Sequence, residues 1–515
     1  MRSTVHPTNA MIEPPAFDVL IVGSGLMGAA VAHLLRQADT HLRIGMVDGG
    51  PPLGSTPGQH LHDVPEPEIW GQYNEKVSTG IQGFYTGVAP SADVGGNLAA
   101  ATPGMYHLQS IGEDATAMPA AAVAWNVGGM GIHWTAATPT PWGSEVFPQI
   151  GENDWRADLH RATELLRVNR CPYPPTAAGQ AVAKTLGTLF DSVSAEGRGI
   201  QPMPMAVNPT PSGLKERTGP ATIFPPIGNP ARDDQFTLYT DTLATSIVHR
   251  NGRATGVAVR DVHTGDTREL TASQVIVCAD AIRTPQLLFA SSIRPRALGR
   301  FLNEHIFLSG QVLADPGRLG FDLATLDPPT DHEWAADCIW IPHSDGGQPF
   351  QVHIMNAVMI DDDRSPLAYA VGLEFYVATE IREENALRFS DTDTDAAGMP
   401  RITIDFDYTD ADRASLQQAQ QVQRQAAELL GPFDPATESA VLPAGSSLHF
   451  TGTVRMGAAD DGTSVCDTDC RVWGFENLFV AGCGVIPTAL KCNSTLTGMT
   501  TAVRAARAAS ATVRR

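Results

Sequence analysis

The stretch Phe17-Asp18-Val19-Leu20-Ile21-Val22-Gly23-Ser24-Gly25-Leu26-Met27-Gly28 joins a short apolar, β-branched run to three glycines in the spacing G-x-G-x-x-G. A run with so little polar alternation reads as a strand buried on both faces of a parallel sheet. Behind the glycines, Met27, Val31, Leu34 and Leu35 recur at helical spacing to about Arg36, and Arg43-Ile44-Gly45-Met46-Val47 supplies a second strand ending at Asp48. Together these make a complete βαβ unit. Gly23, Gly25 and Gly28 let the backbone turn tightly and approach a pyrophosphate, whose charge is favoured at the positive helix N-terminus, and Asp48 is placed to accept from a ribose hydroxyl. Strand, helix, second strand and terminal acid in order point to dinucleotide binding rather than a plain glycine turn. The motif alone does not choose between NAD and FAD.

Later stretches complete an α/β, Rossmann-like domain from separated pieces. Ala244 to Val248 and Ala254 to Val259 flank Asn251-Gly252 and predict a hairpin. Gln274 to Ala279 predicts another buried strand, and Pro285 suits the first turn of the helix that follows. Asn477 to Gly482 predicts a last strand, and Thr495 to Ala509 a closing helix with Leu496, Met499 and Val503 on one face. The dinucleotide-binding domain is therefore expected over 15–150, 236–312 and 445–515. The segments 151–235 and 313–444 are expected to form a second, substrate-binding domain with a mostly antiparallel sheet and helices. Its strands are expected at Phe350 to Ile354, Ala368 to Ala378 and Arg401 to Tyr408, and its sheet is expected to roof the cofactor.

Composition narrows the partners. The 515 residues exceed one ordinary core, and 56 acidic against 35 basic residues give a net charge of −21, which repels nucleic acid and anionic membranes. No apolar run approaches the ~20 residues that cross a bilayer, and Met1 to Pro15 lacks the apolar stretch of a signal peptide, so a cytoplasmic protein is expected. The seven cysteines are odd in number and scattered, which predicts free thiols. Cys466 and Cys470 have no second ligand pair with nearby histidines, and no metal is expected.

Three further stretches carry a resemblance: Gly128-Gly129-Met130-Gly131-Ile132-His133-Trp134-Thr135, Leu448-His449-Phe450-Thr451-Gly452-Thr453-Val454-Arg455-Met456-Gly457, and Gly482-Cys483-Gly484-Val485-Ile486-Pro487-Thr488 followed by Asn493. With the βαβ unit, they make the chain resemble the glucose-methanol-choline (GMC) oxidoreductases, and among them the pyranose oxidases and glycoside 3-oxidases. The resemblance implies FAD rather than NAD. It implies Gly23, Gly25, Gly28 and Asp48 on the ADP half, with His133, Trp134, Thr135, Gly482 and Cys483 near the flavin or its phosphates. It further implies His449 and Asn493 as the catalytic pair and Gln351 and His353 as a Gln-x-His lining the sugar site.

The residues support these roles chemically. Ser447, His449 and Thr451 alternate, so on a strand they share one face while Leu448 and Phe450 point into packing. A histidine with an ordinary pKa near ~6.5 accepts a hydroxyl proton at neutral pH as the carbon-bound hydrogen leaves as hydride. Asn493 offers a neutral amide to orient the hydroxyl; the sequon Asn493-Ser494-Thr495 is discounted for a cytoplasmic chain. His305, in Asn303-Glu304-His305, is read as structural.

The pattern also departs from the pyranose oxidases. Gly131-Ile132 replace the usual Ser-Thr before the flavin-linking histidine. A covalent link through His133 is thus an open alternative that the sequence argues against. Ser494 replaces the usual Pro, and Met355-Asn356-Ala357-Val358-Met359 stands where fungal pyranose oxidases carry an aromatic lid. The chain also lacks the extra arm that ties subunits together, so a monomer or weak dimer is expected. The expected activity is oxidation of a secondary hydroxyl, C3 or C2, of a pyranose sugar or glycoside, with O2 or a quinone as final acceptor. The alternatives are a flavin-dependent lyase or isomerase on the same fold, or a nonenzymatic flavin-binding protein.

Overall fold

The computed structural model describes residues 16–69, 94, 97–330 and 332–513. Met1 to Pro15, where no leader is expected, lies outside the described residues. The first sheet runs Phe236–Tyr239, Ile44–Val47, Phe17–Val22, Thr267–Val277, Arg253–Asp261, Thr242–Arg250, and Leu478–Val480 also pairs with Thr267–Val277. Its centre is parallel: Phe17–Val22 lies between Ile44–Val47 and the second half of Thr267–Val277. Val19, Leu20 and Ile21 are fully buried, as a strand covered on both faces requires, and each such side chain contributes about 1.5–3 kcal/mol by leaving water. The first helix spans Leu26–Ala38 and buries Val31 and Leu35 against this sheet and the closing helix. The hairpin forms as expected: Asn251 and Gly252 both adopt positive φ between Arg250 and Arg253, the geometry of a two-residue turn.

The second sheet is antiparallel throughout, in the order Pro366–Gly372, Ile306–Leu313, Glu374–Val377, Phe350–Ile360, Asp337–Ile341, Gln201–Pro202, with Ser439–Val441 added beside Ile306–Leu313. One face carries Phe350, Val352, Ile354, Phe375 and Val377 into a separate apolar core with helices Ala177–Phe190 and Asp410–Leu430. The other face is set by register. Gln351 lies opposite Tyr376, and His353 lies opposite both Trp340 and Glu374, so these five side chains share the face turned away from that core.

Packing redraws several expectations. Strand Ile306–Leu313, taken with the cofactor half from sequence, belongs to the second sheet, because its buried residues Ile306, Leu308 and Val312 complete that core. Helix Glu152–Leu165 and the ladder Ala386–Thr394 with Pro400–Asp405, taken with the second domain, pack the other way: Trp155, Leu387, Ile402 and Ile404 join the core of the first sheet. Pro285 lies not in the first turn but inside helix Asp280–Ala290. Its ring removes the donor that would reach the Ala281 carbonyl, and Thr453 Oγ1 donates to that carbonyl instead at 2.5 Å. The segment 447–451 is not a strand. Leu448 sits at φ 57°, a left-handed conformation costing about 1–2 kcal/mol for such a residue, and Leu448 and Phe450 pack with the core of the first sheet as expected while also lining a cavity. Helix Ser494–Val513 closes the chain, longer at both ends than its pattern predicts.

Candidate active site

A cavity of about 300 Å³ opens at the carboxyl end of the parallel strands. Its walls include Gly23-Ser24-Gly25, Asp48-Gly49-Gly50, Gly129-Met130-Gly131, Trp134, Gly482-Cys483 and Ser494-Thr495. Two helices therefore present their N-termini to it, and the first, starting after Gly25, has neither a side-chain cap nor an acid in its first turn. Such an end satisfies its orphan N–H groups with an anion. The glycines divide the work. Gly23 adopts φ 102°, and a Cβ there would lie 2.5 Å from the Cys278 carbonyl oxygen. At Gly28 a Cβ would lie 2.0 Å from the Gly23 oxygen. Gly25 is different: at an ordinary φ of −63°, its Cβ would meet nothing closer than Gly128 O at 3.7 Å, so its missing side chain leaves space to the cavity.

Asp48 holds this turn together. Its carboxylate accepts from Ser24 N at 3.0 Å, Ser24 Oγ at 2.5 Å and Gly50 N at 2.9 Å, while burial pushes its pKa up against those bonds. Gly482, at φ 116°, donates its N–H to Thr501 Oγ1 at 2.8 Å, and burial raises the Cys483 thiol to about 11. A dinucleotide fits this cradle of open glycine, two helix N-termini, the first of them uncapped, and the Asp48 carboxylate. Trp134 lines the wall and donates Nε1–H to Thr218 O at 3.0 Å. His133 and Thr135 do not reach the wall; Asn126 Nδ2 donates to Val127 and Gly129 carbonyls, so its Oδ1 accepts from His133 Nε2 at 2.8 Å.

Beside the wall residues Leu448, Phe450 and Ser494 stand His449 and Asn493. Asn493 Nδ2 is 3.2 Å from His449 Nε2, and Gln351 Nε2 donates to Asn493 Oδ1 at 3.0 Å. Trp340 Nε1 in turn donates to Gln351 Oε1 at 2.9 Å. Gln351 is fully buried and bonded at both amide ends, so it orients Asn493 rather than offering a free group to a ligand. His353 is buried to 2% exposure beside Asn493, and among the described residues its Nε2 has no hydrogen-bond partner in good geometry. Tyr376 packs against His353, His449 and His305 at ring separations of 4.7, 5.5 and 5.8 Å.

Sequence reasoning missed the residues that hold His449. His305, read as structural, has its Nδ1 3.0 Å from His449 Nδ1 and its Nε2 2.9 Å from the Leu490 carbonyl. Glu304 accepts from Ser447 N at 3.1 Å, from Ser447 Oγ, and from Gly445 N at 3.3 Å. These bonds fix the turn that carries left-handed Leu448 and so aim His449. Gly452, with a Cβ position 2.1 Å from Phe301 O, lets the two segments pair through Asn303 and Thr451. Glu145 accepts from Lys491 N at 2.6 Å and Cys492 N at 2.7 Å, fixing the loop ahead of Asn493. Burial opposes the charge on Glu145, but the bond and charge of His343 and the two N–H donors carry its pKa down to about 2. These contacts join positions over a hundred residues apart, and only the Glu304-His305 pair, adjacent to a strand and just before an apolar run, offered a local signal.

Burial pushes the His449 pKa well below its usual range, helped by His305 and His353; burial likewise takes His305 to about 4 and His353 to about 3. All three are neutral imidazoles at pH 7. A neutral imidazole with a lone pair, an amide N–H beside it and a dinucleotide cradle alongside can take a proton from a hydroxyl without charging the resting site.

Compared with known proteins, residues 128–307 match one GMC oxidoreductase family model and residues 382–502 another. A C-glycoside 3-oxidase of Microbacterium trichothecenolyticum is 36% identical over 512 residues, covering 96% of this chain and 97% of that one. A pyranose 2-oxidase of Tricholoma matsutake is 31% identical over 429 residues, with 76% of this chain and 73% of that protein covered. Among solved structures, pyridoxine 4-oxidase from Mesorbium loti superimposes with a TM-score of 0.63 over 95% of this chain and 98% of its own, at 16% identity, a likeness of fold.

Proposed function

Because this chain belongs to the GMC oxidoreductase family, we propose that it oxidises a secondary hydroxyl, C3 or C2, of a pyranose sugar or glycoside to a ketone. The observation that carries this reading is the neutral, half-buried His449 with its Nε2 next to the Asn493 amide and beside the dinucleotide cradle. Bound FAD supplies the hydride acceptor, and O2, giving H2O2, or a quinone takes the electrons on. Gly23, Gly25 and Gly28 with the first helix N-terminus would hold the pyrophosphate, Asp48 the ribose, and Trp134, Gly482 and Cys483 the remainder. His449 Nε2 takes the hydroxyl proton, Asn493 Nδ2–H orients the hydroxyl oxygen, and His353 Nε2 is available for a neighbouring hydroxyl. Keeping all these groups neutral avoids opposing the charge that moves as C–H and O–H bonds break.

Non-covalent FAD is part of the proposal. His133 Nε2 is engaged with Asn126 Oδ1, and His133 is not among the residues lining the cavity. On acid precipitation the yellow colour should leave with the supernatant; flavin retained in a washed pellet would establish a covalent link.

A glycoside is favoured over a free sugar. Met355, Ala357 and Met359 follow Gln351 and His353 along the same face of one strand, passing from half-buried to 46% exposed at Met359. This strip offers flexible thioethers and a small side chain to an apolar aglycone, whose binding helps position the sugar. An aryl or C-linked glucoside should show the higher kcat/KM than D-glucose and yield the 3-keto product. A clear advantage for glucose with a 2-keto product would contradict this. The seven cysteines are free, in keeping with a reducing compartment, and among the described residues no helix is long and apolar enough to cross a membrane. We take the enzyme to be cytoplasmic and a monomer or weak dimer, without nucleic-acid or membrane partners.

A further inference from the structure

Five hydrogen bonds run in one line through His449, and the chemistry of the two ends dictates the direction of all of them. Trp340 Nε1–H can only donate, so Gln351 must present Oε1 to it, at 2.9 Å, and its Nε2 to Asn493 Oδ1, at 3.0 Å. Asn493 then has only its Nδ2–H to offer His449 Nε2, at 3.2 Å. At the far end the Leu490 carbonyl can only accept, so His305 carries its proton on Nε2, at 2.9 Å, and presents a bare Nδ1. His449 Nδ1, 3.0 Å away, must therefore be the protonated nitrogen of that pair.

We propose that His305 is a positioning residue that imposes the Nδ1–H tautomer on His449, leaving Nε2 as the bare, proton-accepting atom. This rests on the assignment of His449 as base in the reading above, and supplies what that reading lacks, a reason why the correct nitrogen is basic. Left to itself, the neutral imidazole of histidine favours the proton on Nε2, the tautomer unable to accept from a hydroxyl there. The surroundings remove that preference. His305 is 3% exposed, its ring is held edge-on to His449 at 5.1 Å, and Leu490 lies in the same short loop as Asn493. One loop thus anchors both ends of the base: Leu490 through His305 to Nδ1, and Asn493 to Nε2. When Nε2 takes a proton, the bond from Nδ1–H to His305 persists, so the imidazolium forms without any ring having to turn.

The test uses the full chain with FAD and an aryl glucoside, together with 15N NMR of histidine-labelled protein with and without FAD, the His449 signals being assigned by their loss in His449→Ala. In the unsubstituted protein the proton should reside on His449 Nδ1 in both forms; a proton on Nε2 would overturn the proposal without any variant. His305→Phe, which removes the acceptor, should move the proton to Nε2 and slow flavin reduction at least ~10-fold, with KM changed by less than ~3-fold. His305→Asn, whose Oδ1 can accept near the original Nδ1 position, should recover most of the rate. Equal rates in His305→Phe and His305→Asn would reduce His305 to a packing residue and overturn the proposal. A protein with the Nδ1–H tautomer that reduces its flavin with no sugar would uphold this assignment and overturn the proposed substrate class instead.

Discussion

His449→Ala is expected to slow flavin reduction by a glycoside at least ~10²-fold while FAD stays bound, the scale of a lost general base. The side chain contacts His305, Asn493 and Tyr376 and is not among the residues lining the dinucleotide cradle, so its removal leaves that cradle intact. The pH dependence of the unsubstituted enzyme bears on the same residue. Burial lowers the His449 pKa, so the unprotonated, active form persists as pH falls through ~6.5, and activity should be lost only as pH drops through the depressed value. Stopped-flow reduction across pH 5 to 8 checks both points. A near-normal rate in His449→Ala, or a half-loss centred on the ordinary histidine pKa, would remove His449 from the role of base.

Gly25→Val should weaken FAD binding ~10²-fold or more, about 3 kcal/mol, with little change in the fold. Among the described residues a Cβ at Gly25, whose backbone is extended, meets nothing closer than Gly128 O at 3.7 Å, and Gly25 lines the cavity. The new atoms would occupy the place proposed for the pyrophosphate. Gly28→Ala makes the contrast: its Cβ would lie 2.0 Å from Gly23 O, forcing helix and strand apart, so it should lower the melting temperature of the apoprotein as well. Titration of apoprotein with FAD, followed by flavin fluorescence, and thermal unfolding without FAD separate the two effects. Equal FAD affinity in Gly25→Val would show that the phosphates bind elsewhere.

The parts of this molecule legible in its sequence are those governed by local rules. The G-x-G-x-x-G turn, the strand–helix–strand order and Asn251-Gly252 each encode their geometry within a few residues, and all three form as expected. The site was legible only as a set of candidates. His449, Asn493 and Gln351 do come together, but the partners that give them direction do not announce themselves. His305 is 144 residues from His449, and Trp340 and Gln351 meet only through strand register. The alternation Ser447, His449, Thr451 looked like a strand because nothing in those residues reveals that Glu304 holds them in a turn. Pro285 was placed in a first turn because its compensating donor, Thr453, is remote. The membership of Ile306–Leu313 in the second sheet is not legible locally for a related reason: which sheet a strand joins depends on partners far away in the chain.

The central claim is that His449 and its neighbours serve sugar oxidation, and anaerobic mixing of the FAD-loaded enzyme with an aryl or C-linked glucoside tests it most directly. The flavin should bleach with one keto-glycoside formed per FAD, the carbonyl located at C3 or C2 by NMR. Flavin that stays oxidised across a panel of free sugars and glycosides, or a product formed with no net electron transfer, would contradict the account.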